Sequence, residues 1–265
     1  MDDTKEKIFE AVDARKAAFD TIRPFEGAHM KQLKEHYRVE TTWSSTALEG
    51  NTLTLKDTVM ILHEGITVGG HPFRETMEVY GHAKAFDFMY SLIGQKRITE
   101  GDIKRLHELV AFENKEITPG RYRDSNVMIV GAQSIPPRWQ DLPKELSSYY
   151  NWLEAYRDRY HPIEYAALAH QKLVAIHPFR DGNGRTCRLV MNALFLQEGY
   201  MPLSITPDTK REYDQALDIA ASWGNAVPFV EFIGRKQIEN YDKLMERLHV
   251  PFQEQGGGIE RERSR

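Results

Sequence analysis

The chain has 265 residues, enough to bury one substantial core or a domain with a small extension, and its 41% hydrophobic and 28% charged residues are those of a globular protein. Lys and Arg number 35 against 39 Asp and Glu, a formal net charge of -4 that argues against general electrostatic binding to nucleic acid. The one cysteine, Cys187, excludes an internal disulfide framework and a structural zinc site built on two or more thiolates.

In chain order, Ile8, Val12, Ala17 and Phe19 among many charges predict an amphipathic helix over 4–22. A second is expected over 30–48, stopping at Gly50. Thr54 caps a third over 55–64. Further helices are expected at 74–93, 99–112 and 141–156. The apolar stretch 164–176 ends at His177-Pro178, where proline stops the helix. Helices over 185–198, 208–222 and 228–248 complete the set. One region departs from this pattern. Val127-Met128-Ile129-Val130, bounded by Pro119-Gly120 and Gly131, predicts a strand or hairpin. The tail from Pro251, with Gly256-Gly257-Gly258 and alternating Glu and Arg, reads as disordered. The expected class is therefore all-α with one small β-hairpin. No signal peptide is visible at Met1–Lys5, and 189–196 is too short an apolar stretch to span a bilayer. A cytoplasmic protein with no membrane or nucleic-acid partner is expected.

The segment His177-Pro178-Phe179-Arg180-Asp181-Gly182-Asn183-Gly184-Arg185-Thr186-Cys187-Arg188 carries the chemistry. A helix ends, a Gly-Asn-Gly loop follows and a new helix begins. Glycines allow close approach of a ligand, and the free N–H groups of the new helix form an anion site suited to phosphate. Arg185 and Arg188, three apart, project from one side of the first turn and would clamp phosphate oxygens. Asp181 is placed to hold a divalent metal already bound to phosphates. His177 is suited to take a proton near neutral pH. Spacing alone thus points to a nucleotide polyphosphate, Mg²⁺ and a histidine base. Neither Gly-Lys-Ser/Thr nor GxGxxG occurs. A sharp helix–helix turn with solvated arginines would explain the glycines, but not a His, an Asp, an Asn and two Arg at one turn. An internal control is His71-Pro72-Phe73-Arg74-Glu75, which repeats the opening tetrapeptide without a glycine loop and so lacks an anion site.

This stretch resembles the signature of the Fic family, HxFx[DE]GNGRxxR. It matches at His177, Phe179, Asp181, Gly182, Asn183, Gly184, Arg185 and Arg188. The resemblance runs over about residues 40 to 245. Gly120-Arg121-Tyr122-Arg123 with Val127, Met128, Ile129 and Val130 looks like the family's β-hairpin flap, which would align a target segment by strand pairing. The resemblance implies a compact, all-α, Fic-type helical bundle that transfers AMP from ATP to a Ser, Thr or Tyr hydroxyl of a protein. On it, His177 would be the base, Asp181 would bind Mg²⁺, and Gly182, Asn183 and Gly184 would form the anion hole. Arg185 and Arg188 would neutralise the outer phosphates, and Phe179 would face the core and hold the loop. Relatives that phosphorylate their target carry lysine where Gly184 stands. Tyr213 is a candidate for the adenine pocket, and Cys187 for simple packing.

Ser45-Thr46-Ala47-Leu48-Glu49-Gly50 is the second motif. Ser45 and Glu49 are four apart, on one helix face. Alone the pair reads as a solvated helix end. Beside the first motif it resembles the family's inhibitory motif, [ST]xxxE[GN], in which the glutamate would pair with Arg188 and spoil the seat of the γ-phosphate. The expected organisation is a helical extension at 1–40, an inhibitory helix segment at 41–53, a Fic core at 54–250 and a disordered tail at 251–265. The leading reading is an autoinhibited protein adenylyltransferase, with self-modification and self-association in scope. The alternatives are removal of AMP from a modified protein at the same site and a non-catalytic nucleotide-sensing module.

Overall fold

The computed structural model describes residues 3–23, 27–129 and 133–252. Ten α-helices make up its frame among these residues. They are α1 (Asp3–Asp20), α2 (Ala28–Ala47), α3 (Leu55–Val59), α4 (Phe73–Ser91), α5 (Glu100–Val110), α6 (Leu142–Tyr156), α7 (Pro162–Ile176), α8 (Asn183–Gln197), α9 (Lys210–Trp223) and α10 (Val227–Arg247). Each matches an expected helix to within a few residues at its ends. Local chemistry explains the agreement. Thr54 and Thr99 cap α3 and α5 in reciprocal capping boxes with Asp57 and Asp102. The third helix does not run evenly to 64: after Val59 it widens into a π-turn, Met60–Glu64, closed by Gly65 in the left-handed conformation.

Helix α8 lies at the centre. Every residue from Arg185 to Leu196 is buried, polar ones included. It packs most closely on α7, with α4 and α5 on other sides, while α1 pairs with α10 at the periphery of the same core. Its Asn192 is accommodated by bonding both ways to the Leu203 backbone, at 3.0 and 2.7 Å. On α4, Gly81 lets α5 come close. A side-chain carbon there would stand 2.6 Å from the Leu109 carbonyl oxygen. These contacts leave the α7–α8 turn facing the end of α2.

The expected β-hairpin is the larger departure. No strand occurs among the described residues, and 126–129 is irregular backbone with Met128 90% exposed. A Val-Met-Ile run has strand propensity but no neighbouring strand among the described residues to bond, and isolated two-stranded hairpins are marginal in water. Val130 lies outside the described residues, as does the tail from 253 onward; Val250 and Phe252 pack against the core. Helix α2 runs unbroken across position 40. No described helix is long and apolar enough to cross a membrane.

Candidate active site

The site is built on the turn between α7 and α8. His177 ends α7 in the left-handed region, φ 50 and ψ 59, with its N–H on the Leu173 carbonyl at 3.1 Å. For a residue with a Cβ this conformation costs ~1–2 kcal/mol and persists only when its surroundings hold it. They do. Arg123 Nε donates to the His177 carbonyl at 2.8 Å, and the Arg123 N–H donates to the Pro178 carbonyl at 2.9 Å. Phe179 turns inward, 1% exposed, and stacks flat on His107 with ring centroids 3.7 Å apart. The Asn183 side chain closes the loop, accepting from Phe179 N–H and donating to Phe179 O, both at 2.9 Å. Gly182 caps α8 at φ 73, with no side chain bonded to the helix start. The α8 N-terminus is left to an incoming anion.

His107 holds the loop from below. Its Nδ1 accepts from Gly120 N–H at 2.9 Å, so its Nε2 carries the proton and donates to the Asp181 carbonyl at 2.9 Å. Burial pushes its pKa down to about 4, so it stays neutral. The Asp181 side chain is half-exposed. Its Oδ1 accepts from Gly182 N–H at 2.6 Å and Arg185 at 3.3 Å, and its Oδ2 accepts from Asn114 at 2.8 Å. Burial alone would raise the Asp181 pKa. The Arg185 charge and these hydrogen bonds outweigh it and hold the carboxyl below its usual range, ionised. Burial, and next the Arg123 charge, push the His177 pKa below that of free histidine. A neutral imidazole at pH 7 is the form that can accept a proton.

Arg188 is buried and fully engaged. Its Nε donates to Ser45 Oγ and its Nη2 to Ser45 O, both at 2.9 Å. The same Nη2 donates to Glu49 Oε1 at 2.7 Å. Its Nη1 reaches the Tyr213 hydroxyl at 3.5 Å, which is bonded in turn to His170 Nε2 at 2.9 Å. Burial pushes the Glu49 carboxyl up, but Arg188, with Arg185 and Lys210 behind it, holds the pKa below the usual value. Despite burial, the Glu49 charge keeps the Arg188 pKa above that of a free arginine.

The fold thus brings His177, Asp181, Gly182, Asn183, Gly184, Arg185 and Arg188 to one turn and lays Ser45 and Glu49 against them. Val127, Met128 and Ile129 sit on the irregular 126–129 segment. Tyr213 sits behind Arg188 at 3% exposure, rather than lining an open adenine pocket. Cys187 is buried and burial pushes its thiol pKa up, which suits packing and not attack. His71 bonds Thr52 Oγ1 at 2.8 Å, a structural use. Sequence reasoning missed the supporting roles of His107, Asn114, Arg123 and His170. Arg123 stood inside a quoted segment, but no local pattern marks an inward-facing arginine.

The Fic/DOC family profile matches residues 97–195, the stretch that spans α5, the 120–139 connection and α7–α8. The chain is 36% identical over 234 residues to "Protein adenylyltransferase Fic" of Nematostella vectensis, covering 87% of this chain and 54% of that protein. It is 37% identical over 230 residues to the protein of that name from Drosophila willistoni, covering 86% and 45%. The chain therefore spans about half the length of the curated relatives it matches. Residues 134–508 of Fic-1 from C. elegans superpose with a TM-score of 0.83 at 28% identity, covering 92% of this chain and 73% of that one. The signature loop, the helical frame around it and these relatives together establish that the chain belongs to the Fic/DOC family.

Proposed function

We propose that the chain is a protein adenylyltransferase that moves AMP from ATP to a Ser, Thr or Tyr hydroxyl of a protein, itself included, and that Glu49 holds it back. One observation carries the reading. A neutral histidine, an uncapped helix N-terminus and two arginines converge on one turn, and a carboxylate from the turn after α2 occupies the arginine end of it. His177 takes the proton of the target hydroxyl as its oxygen attacks the α-phosphorus. The bond from the α-phosphorus to the bridging oxygen breaks, and pyrophosphate leaves. The N–H groups at Asn183 and Gly184 stabilise the charge that develops on the phosphate, while Gly182 N–H is held by Asp181 Oδ1, and Arg185 and Arg188 neutralise the outer phosphates.

The residues present fit Mg²⁺. Asp181 is an ionised, half-exposed carboxylate, and no group of three His, Cys, Asp or Glu suited to a metal occurs among the described residues. One carboxylate completed by phosphate and water is the usual donor set for Mg²⁺. Asp181 would hold the ion, which when bound would neutralise phosphate charge.

Glu49 restrains the site by occupying the cation that the γ-phosphate needs and by repelling phosphate. Residues 41–53 would then act as the inhibitory segment, with 1–40 as an extension and 54–250 as the core. The Glu49 side chain is 41% exposed, which supports a second reading, removal of AMP from a modified protein with Glu49 orienting water. The test is to incubate wild type, Glu49→Gly and His177→Ala with α-phosphate-labelled ATP and lysate. Label is expected to be low in wild type, high in Glu49→Gly and absent in His177→Ala. Intact mass must show added AMP; an added phosphate overturns the transfer chemistry.

A further inference from the structure

Arg123 is a buried cation, 3% exposed, that pairs with no carboxylate among the described residues. Its guanidinium is satisfied by backbone carbonyls alone. Nε donates to His177 O at 2.8 Å, Nη1 to Ser125 O at 3.0 Å, and Nη2 to Pro137 O at 2.5 Å and Ile176 O at 3.5 Å. Two of these carbonyls belong to the turn that carries the base. The other two bracket the 126–136 segment, whose ends are tied a second time by Trp139 N–H on Asn126 Oδ1 at 3.0 Å. One planar fork therefore spans both structures.

A neutral donor would close such a gap at less cost, because burying an unpaired charge is expensive. The charge has a use here: it stands against His177 and disfavours the imidazolium. The fork also holds the carbonyl of a residue in strained backbone, the kind of contact that keeps a left-handed histidine in place.

We infer that Arg123 is a positioning residue that locks the His177 turn and both ends of the 126–136 segment into one unit, so that a target segment lying on 126–129 is registered against the base. The inference rests on the adenylyltransferase reading for its catalytic consequence, and its structural half stands without it. Lysine keeps the charge but cannot reach four carbonyls, so Arg123→Lys separates the fork from the cation.

Hydrogen exchange is measured on Arg123→Lys, together with ATP affinity and AMP transfer to a protein target in the Glu49→Gly background. Exchange is expected to rise together at 125–129, 133–137 and 176–178, with α8 protection and ATP affinity within about twofold of the parent. The kcat for transfer is expected to fall about 10²-fold, the scale of a 1 Å misplacement. A rise at only some of these three segments, or at none, overturns the inference. So does a joint rise with unchanged kcat. If Arg123→Lys also loses α8 protection, Arg123→Gln, which keeps a planar donor, takes its place with the same criteria. If the Glu49→Gly parent transfers no AMP, the adenylyltransferase reading fails, and the exchange arm still decides the lock.

Discussion

The Glu49 carboxylate lies directly over the Cα of Gly184. A side-chain carbon on Gly184 would collide with Glu49 Oε1 and stand 3.0 Å from Arg188 Nη1. The absence of a side chain at 184 is thus what lets a carboxylate, or in its place a phosphate, reach the start of α8. Two substitutions separate these uses. Glu49→Gly vacates the space and is expected to raise AMP incorporation at least about tenfold, a barrier change of ~1.4 kcal/mol. Gly184→Ala also expels Glu49 but fills the same space, so it should not activate. Label counting from α-labelled ATP checks both, and activation by Gly184→Ala would sink the shared-space argument.

His177 sets the acid limb of the reaction. The charged groups acting on it are Arg123, Glu49 and Asp181, and its burial and Arg123 dominate, lowering its pKa. The neutral form is the active one, so kcat/KM should rise with pH through a pKa below the usual 6.5 and then level. His177→Ala should lose about 10²–10⁴-fold on the plateau, and the acid limb with it. A limb centred above 6.5 in Glu49→Gly would contradict the assigned environment.

Ser45 is buried and accepts from Arg188 Nε at 2.9 Å. Ser45→Ala leaves a buried guanidinium N–H without its acceptor, which should cost about 1–3 kcal/mol of folding stability. Urea unfolding measures this directly, and an unchanged midpoint would show that the hydroxyl is dispensable.

Three buried histidines make the fold acid-sensitive. Burial lowers the pKa of His82 and His170 to about 3 and that of His107 to about 4. These folded values lie below the unfolded value of ~6.5, so the contribution to stability is present above pH 6.5 and is lost as pH falls toward 4 and 3. Each histidine removes on the order of 1.4 kcal/mol per pH unit in that window. The melting temperature should drop steadily from pH 7 to 5, before the carboxylates titrate. A flat profile there would falsify the assignment of neutral, buried rings.

Much of the frame is legible in the sequence because its signals are local. Thr54 and Thr99 announce helix starts through the carboxylates three residues on, and Pro178 announces the end of α7. The loop from His177 to Arg188 is legible because its chemistry is compressed into twelve consecutive positions. The strand expected from Val127 to Val130 was read from propensity, and propensity cannot supply the neighbouring strand that its hydrogen bonds need.

What the sequence by itself determined is the set of helices, the anion-binding turn and the residue types a phosphate reaction needs, since periodicity, caps and spacing act over a few residues. What only the tertiary structure decided is which side chains serve that turn. Glu49 meets Arg188 across 139 positions, and Arg123 meets His177 across 54. Such contacts follow from how helices close on one another around α8. That closure is a property of the whole core, and no local stretch of residues encodes it.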